Sequence, residues 1–486
     1  MSDLFAVARI EDATATALAP NHRPVSLSDR QQLDTEGMKL DLPLEHPAAR
    51  AAAVAAVLGL CGSLLYVALC NYLIGALTDE RIRVTPDAPP ASFITAPFTD
   101  DRVGINPDVL AAAGRRFPNS PRLHMVLGEF GRYQEEGDWP TAQFHAKRAI
   151  DLSPYDYRPH LLLSVIQENQ GNLQGAEESA RAALNLVPGN LQAHWQLGAL
   201  LLRRGNLAGS LEQFHAAAAG HTAYLQPALN LVWSESGKYL DAVRAVTPDN
   251  AKDKLALARF LLEQSRPSES AAVFREIDRD AVLADRDAAQ YLNRLIGAGH
   301  VSLAHNLWSG LLEQGREGPE EWTNLIWNGG FESDILVDFA QFDWSIQPSN
   351  YARISIDSRT SHTGRRSLSV DFIGRETTRL EGEIQQRILV RPGARYRLQY
   401  YIKTRDLVAP EGPRVVVSGT TWQQWIVASE PARAGSSDWR PGTVEFSASS
   451  PAVIVAIQQK PRYSYEDPTH GTVWFDDFKL EKIPKL

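Results

Sequence analysis

Residues 327–334 read WNGGFESD, and the hydrophobic pattern changes at this point. Upstream, apolar residues recur at helical spacing. Downstream they alternate, which is the period of a strand with one buried face. RRSLSVDFI (365–373), ARYRLQYYIKT (394–404), PRVVVSG (413–419), GTVEFSA (442–448), AVIVAIQQ (452–459) and GTVWFDDFKL (471–480) are β-rich runs separated by Pro, Gly, Ser and Asp. Eight or so such runs predict a two-sheet sandwich of jelly-roll type over 324–486. NGGFE (328–332) is expected to start its first strand.

The helical part repeats itself. Gly137, Gly171 and Gly205 are each 34 residues apart, as are Ala149, Ala183 and Ala217, and Pro154 and Pro188 keep the same step. Ala142, Ala176 and Ser210 follow it too. Each Gly falls in a turn, each small residue lies where two helices must approach, and each Pro stops the second helix. The unit is therefore helix–turn–helix. It resembles the tetratricopeptide repeat, most closely over 191–224, where Leu197, Gly198, Gly205, Phe214 and Ala217 match the family pattern. Units 123–156, 157–190 and 191–224 are in register, although Val126, His160 and His194 stand where the family places an aromatic. Out-of-register helical pairs continue to about 316, which predicts an all-α solenoid over 104–316 whose units bury their apolar faces only by stacking. The resemblance implies protein partners in an inner groove that would include Arg158, Glu168, Gln192 and Trp195.

Near the start, AAAVAAVLGLCGSLLYVALCNYLIGAL (51–77) carries no charged residue. At 1.5 Å per residue it is long enough for a hydrocarbon core of about 30 Å. It begins too deep for a signal peptide and is expected to remain as a single anchor within 47–78. Residues 1–46 read as a disordered tail and 79–103 as a Pro-rich linker. Lys39 and Arg50 on one side and Arg81 and Arg83 on the other leave the flanking charge balanced, so charge does not choose the orientation.

The chain is mildly acidic, with net charge −9, and has no Lys/Arg-rich run, so it lacks the electrostatic footprint of a nucleic-acid binder. Its two cysteines, Cys61 and Cys70, fall on opposite faces of one helix and form neither a disulfide framework nor a zinc pattern. No H-E-x-x-H, G-x-S-x-G, Walker A or G-x-G-x-x-G motif occurs. The reading is non-catalytic.

The β-rich region, from NGGFE through TGRRSLSV (363–370) and VRPGARYRLQYYIKT (390–404) to GTVWFDDFKL, resembles the galactose-binding-like carbohydrate-binding modules of the cellulose/xylan-binding type. That resemblance implies a structural calcium where the two ends meet, with Glu332 and Asp476 as ligands and Asp477 as a substitute. It also implies a polysaccharide held by stacked aromatic rings and amides. Trp422, Gln423 and Trp425 in GTTWQQWIV, with Gln458 and Tyr463, are the candidates. On a regular strand Trp422 and Trp425 point to opposite faces. Such modules usually work outside the cytoplasm, which implies a short cytoplasmic tail and extracytoplasmic C-terminal domains. The expected whole is a membrane-anchored scaffold that recruits proteins and holds a polysaccharide, in exopolysaccharide or envelope assembly. The alternative is a purely protein–protein scaffold whose sandwich has no glycan affinity.

Overall fold

The computed structural model describes residues 47–79, 107–132, 138–312, 324–420, 424–461 and 468–484. The expected tail, 1–46, and nearly all of the expected linker lie outside them. The first compact unit, residues 1–77, is described only by the helix α1 (Pro47–Asp79). Its stretch Ala51–Leu69 is long and apolar enough to cross a membrane.

The second unit spans Thr78–Leu486. Its helical part consists of α2 (Pro107–Arg116), α3 (Pro121–Arg132), α4 (Trp139–Leu152), α5 (Tyr157–Asn169), α6 (Leu173–Leu186), α7 (Leu191–Arg203), α8 (Leu207–Gly220), α9 (Leu225–Glu235), α10 (Leu240–Val246), α11 (Ala251–Glu263), α12 (Pro267–Arg275), α13 (Arg279–Ala284), α14 (Arg286–Gly297) and α15 (Val301–Leu312). The repeat spacing has the expected local causes. Gly171 and Gly205 both take φ of 78°, the left-handed turn that favours glycine. Asn172 and Asn206 then cap α6 and α8, each accepting from a backbone N–H three residues on, and such a cap stabilises a helix by about 1 kcal/mol. Ala142, Ala149, Ala176, Ala183 and Ala217 are fully buried, so paired helices approach at these positions. Gly198 lies against the ring of Phe214, with no room for a Cβ.

The β part is two five-stranded antiparallel sheets. One has the order β1 (Ser345–Ile346), β4 (Ile384–Leu389), β9 (Ala452–Gln458), β6 (Arg414–Ser418), β7 (Trp425–Ala428). The other runs β2 (Ala352–Asp357), β3 (Ser367–Ile373), β10 (His470–Ile483), β5 (Arg395–Val408), β8 (Gly435–Ser447). Between them lies one core, containing Trp344, Tyr396, Phe475 and Phe478 and the inward residues of β4, β6 and β9.

WNGGFESD does not start a strand. Asn328 and Phe331 have φ of 48° and 59°, and Gly329 packs on the Phe478 carbonyl where any side chain would collide. The stretch is a tight turn that lays Phe331, fully buried, into the sandwich core. Its preceding residues run beside β10, with Leu325 N–H donating to the Leu480 carbonyl at 3.0 Å.

The sandwich does not stand apart from the solenoid, as a separate appended module would. Phe339 and Phe342, after the turn, belong to the same apolar cluster as Leu292, Leu307 and Trp308 of α14 and α15. Gln341 donates through Nε2 to the Ala289 carbonyl at 3.2 Å, and the edge of Trp327 packs on Trp308 with ring centroids 5.5 Å apart. The segment before β1 thus closes the apolar cluster of the helical stack, while the sandwich core is a separate cluster.

Candidate functional site

The first sheet has an outer face that the core does not use. Ile384, Ile388, Val415, Val417, Val453, Val455 and Ile457 point inward. Their alternates therefore point out: Gln385 and Arg387 on β4, Ile454, Ala456 and Gln458 on β9, Arg414, Val416 and Ser418 on β6. Trp425 pairs with Ser418 across β7 and β6 and shares that face.

Trp425 is 39 % exposed. Its indole Nε1 donates to Gln458 Oε1 at 2.9 Å, and Gln458 Nε2 in turn donates to the Glu381 carbonyl at 2.8 Å. Gln458 is completely buried, so it orients the ring rather than meeting a ligand. The Lys460 ammonium sits 4.5 Å from the ring centroid. Trp422, Gln423 and Tyr463 lie outside the described residues, so only Trp425 and Gln458 of the predicted aromatic–amide set are placed, and they are placed together.

Toward the other edge of the same face is a cleft of about 270 Å³. Its floor is Ser345, Gln347, Gln385, Arg387 and Ile454, and Asn293 of α14 with Asp338 and Gln341 form the wall. Ser345 pairs with Gln385 across β1 and β4, which brings both side chains to the same side. The half-buried Arg387 has no ion pair or hydrogen bond among the described residues, and burial pulls its guanidinium below its ordinary value. The buried Oε1 atoms of Gln385 and Gln341 also have no donor. Asp338 is 3.4 Å from Arg286. Sequence reasoning missed this cleft. The alternation in IQQRIL (384–389) puts Gln385 and Arg387 on one face, but the wall comes from residues about 45 (Asp338, Gln341) and about 90 (Asn293) positions earlier in the chain.

Glu332, Asp476 and Asp477 do converge, around Gly330. Asp477 has φ of 50° at an irregularity in β10 between Asp476 and Lys479. The loop 361–366 closes over the carboxylates. Glu332 Oε1 accepts from the backbone N–H groups of Arg365 and Arg366 at 2.7 and 2.9 Å. Asp476 accepts from the His362 N–H at 2.7 Å, and Asp477 bonds His362 Nδ1 and Thr363 Oγ1, each at 2.6 Å. Burial pushes the Asp476 carboxyl up to about 6, the neighbouring Asp477 charge adding to the rise and the N–H donors opposing it. Among the described residues no group of three His, Cys, Asp or Glu side chains is arranged to hold a metal ion. Glu332 Oε1 and both Asp476 oxygens accept from backbone N–H groups.

Of the four predicted groove residues, Arg158 and Glu168 lie on α5, and Gln192 and Trp195 on α7. Arg158 is occupied by Asp156 beside it, at 2.6 Å. Glu168, ten residues further along α5, accepts from Gln196 Nε2 at 2.6 Å and pairs with Arg203 at 2.7 Å, tying α5 to α7. Trp195 packs on Phe214 and Tyr224, with centroids 4.9 and 6.0 Å away, which makes it a packing residue of the stack. Gln192, half-buried, starts α7.

No family model matches the chain, and no curated protein does. Among solved structures, a CBM4 structure is similar at 18% identity over 32% of this chain and 99% of its own, with a TM-score of 0.25. The MamA protein is similar at 17% identity over 36% of this chain and 94% of its own, also with a TM-score of 0.25. An O-GlcNAc transferase of Thermobaculum terrenum is similar at 20% identity, over 30% of this chain and 27% of its own, with a TM-score of 0.25.

Proposed function

We propose that the protein is a non-catalytic, membrane-anchored tether that holds a polysaccharide against the outer face of the β1-β4-β9-β6-β7 sheet and recruits proteins through its solenoid. The observation that carries this reading is Trp425, a part-exposed indole whose orientation is fixed from below by a fully buried amide. A part-exposed indole on an outer sheet face suits the apolar face of a pyranose once the Lys460 ammonium over the ring moves aside. The α1 segment would provide the anchor, with the solenoid and sandwich on the extracytoplasmic side, in exopolysaccharide or envelope assembly. Calcium is compatible with this reading only as a structural ion at Glu332 and Asp476.

The test is binding of the full chain, in detergent micelles, to a polysaccharide panel, with Trp425→Ala beside it. Binding that the folded variant loses supports the reading; no binding to any polysaccharide overturns it. Protease added to intact spheroplasts should digest residues 107–486, and their full protection would overturn the orientation.

One observation favours the second reading, a docking scaffold without glycan affinity. The middle of the outer face, at Val416, Ser418 and Ala456, is fully buried, so among the described residues no open groove crosses it.

A further inference from the structure

We propose that the cleft between α14 and the β1–β4 edge binds the carboxylate of an acidic sugar, with Arg387 as its anion partner. This rests on the polysaccharide reading and names the class of sugar.

The cleft floor holds a guanidinium that is half withdrawn from water yet has no acceptor among the described residues. Withdrawing a cation from solvent is costly unless a counter-charge or hydrogen-bond acceptor compensates it. Asp338 also lines the cleft, but it lies beside Arg286 and forms no ion pair with Arg387. A guanidinium presents two parallel N–H groups, the geometry that a carboxylate accepts bidentately. One cation with an acidic residue nearby suits a single negative charge better than a doubly charged phosphate.

The rest of the lining asks for hydroxyl donors. Gln385 Oε1 and Gln341 Oε1 are buried acceptors without a donor, which a ligand O–H would satisfy. Gln347 Nε2 is turned to Ser345 Oγ at 3.3 Å, a long bond that a better acceptor could replace. Asn293 faces them from the solenoid. A carboxylate plus several hydroxyls on one small ring is the chemistry of a uronic acid. The volume, about 270 Å³, lies just below the usual range for ligand pockets, which begins at about 300 Å³, and fits one sugar residue better than a long segment.

The experiment uses the full chain in detergent micelles. Polygalacturonate, alginate and glucuronoxylan are each compared with the same polymer after its carboxyls are reduced to neutral hydroxymethyl groups. The proposal expects at least one acidic polymer to bind roughly 10- to 100-fold tighter than its reduced form, the range for a hydrogen bond to a charged group. Arg387→Gln should abolish that preference, and Asn293→Ala, on the solenoid wall, should reduce it. Each variant's melting temperature is measured alongside, and the Asn293 variant keeps the test open if the Arg387 variant fails to fold. Equal binding of acidic and reduced polymers, or a preference that survives in folded Arg387→Gln, overturns this inference while leaving the tether intact. Absence of binding to every polymer, acidic or neutral, overturns the tether reading and this inference with it.

Discussion

The indole nitrogen of Trp308, on the last helix of the solenoid, donates to the carbonyl of Phe339, in the chain leading into the sandwich, at 2.6 Å. Both residues are buried, so a large apolar contact and a desolvated polar bond coincide at the junction. Trp308→Phe keeps most of the ring and leaves the carbonyl without that donor. The expected loss is about 1–3 kcal/mol. Trp308→Ala should lose about 3–5 kcal/mol. Calorimetry of the wild type should show solenoid and sandwich melting together, and of Trp308→Ala two separated transitions.

Trp425 and Gln458 should separate stacking from orientation. Trp425→Ala should remove polysaccharide binding with little change in melting temperature, since the ring is partly exposed. Gln458→Leu should weaken binding less and destabilise more, because the Glu381 carbonyl loses its buried donor, at about 1–3 kcal/mol. Lys460 lies over the same ring, so a stacked sugar must displace it. Lys460→Ala is therefore expected to bind at least as tightly as wild type, as read by quenching of indole fluorescence.

Two buried groups near the junction should give pH dependences of opposite sign. Burial pushes the Asp343 carboxyl from 3.8 up to about 7. As pH rises from 4 to 7 the unfolded chain releases this proton first, so stability falls, by on the order of 4 kcal/mol at most. Burial lowers His305 from 6.5 to about 4. As pH falls from 6.5 to 4 the unfolded chain takes the proton first, so stability is lost from the acid side, on the order of 3 kcal/mol. Asp343→Asn should therefore raise the melting temperature at pH 8 and leave it unchanged near pH 4. His305→Phe should flatten the acid limb instead.

Glu332→Ala removes the acceptor that holds the Arg365 and Arg366 N–H groups. If the loop alone neutralises the carboxylates, the variant should lose about 1–2 kcal/mol whether or not calcium is present, which is the expected outcome. A loss that appears only with calcium, and disappears with a chelator, would assign an ion to the cluster.

Local features of the fold were legible in the sequence. Gly171 and Gly205, with the small residues from Ala142 to Ala217, announce the repeat because turn geometry and close helix approach act within a few residues. Alternation in β3 and β5 and the short β-rich runs of β6, β8, β9 and β10 announce the sandwich for the same reason. The resemblance makes NGGFE the start of a strand, but Asn328 and Phe331 take left-handed φ values around Gly329, which packs on the Phe478 carbonyl of β10 nearly 150 residues later. Arg387 reads as an ordinary outward residue of a strand. Only the approach of α14 and of the 337–341 segment makes a cleft of it, and neither contact leaves a trace in local periodicity. The helix position of Trp195 points to the groove, and only the fold shows that its ring also packs on Phe214 and Tyr224.

Phe339 and Phe342 complete an apolar cluster begun by α14 and α15. Synthesis runs from the N-terminus, so the last helices leave the ribosome well before the residues that seal them. At some 5–20 residues per second, that end of the stack stays open for on the order of seconds. A chain halted between residues 312 and 339 would present an unsealed greasy edge, suited to chaperone capture or to stacking on a second nascent copy.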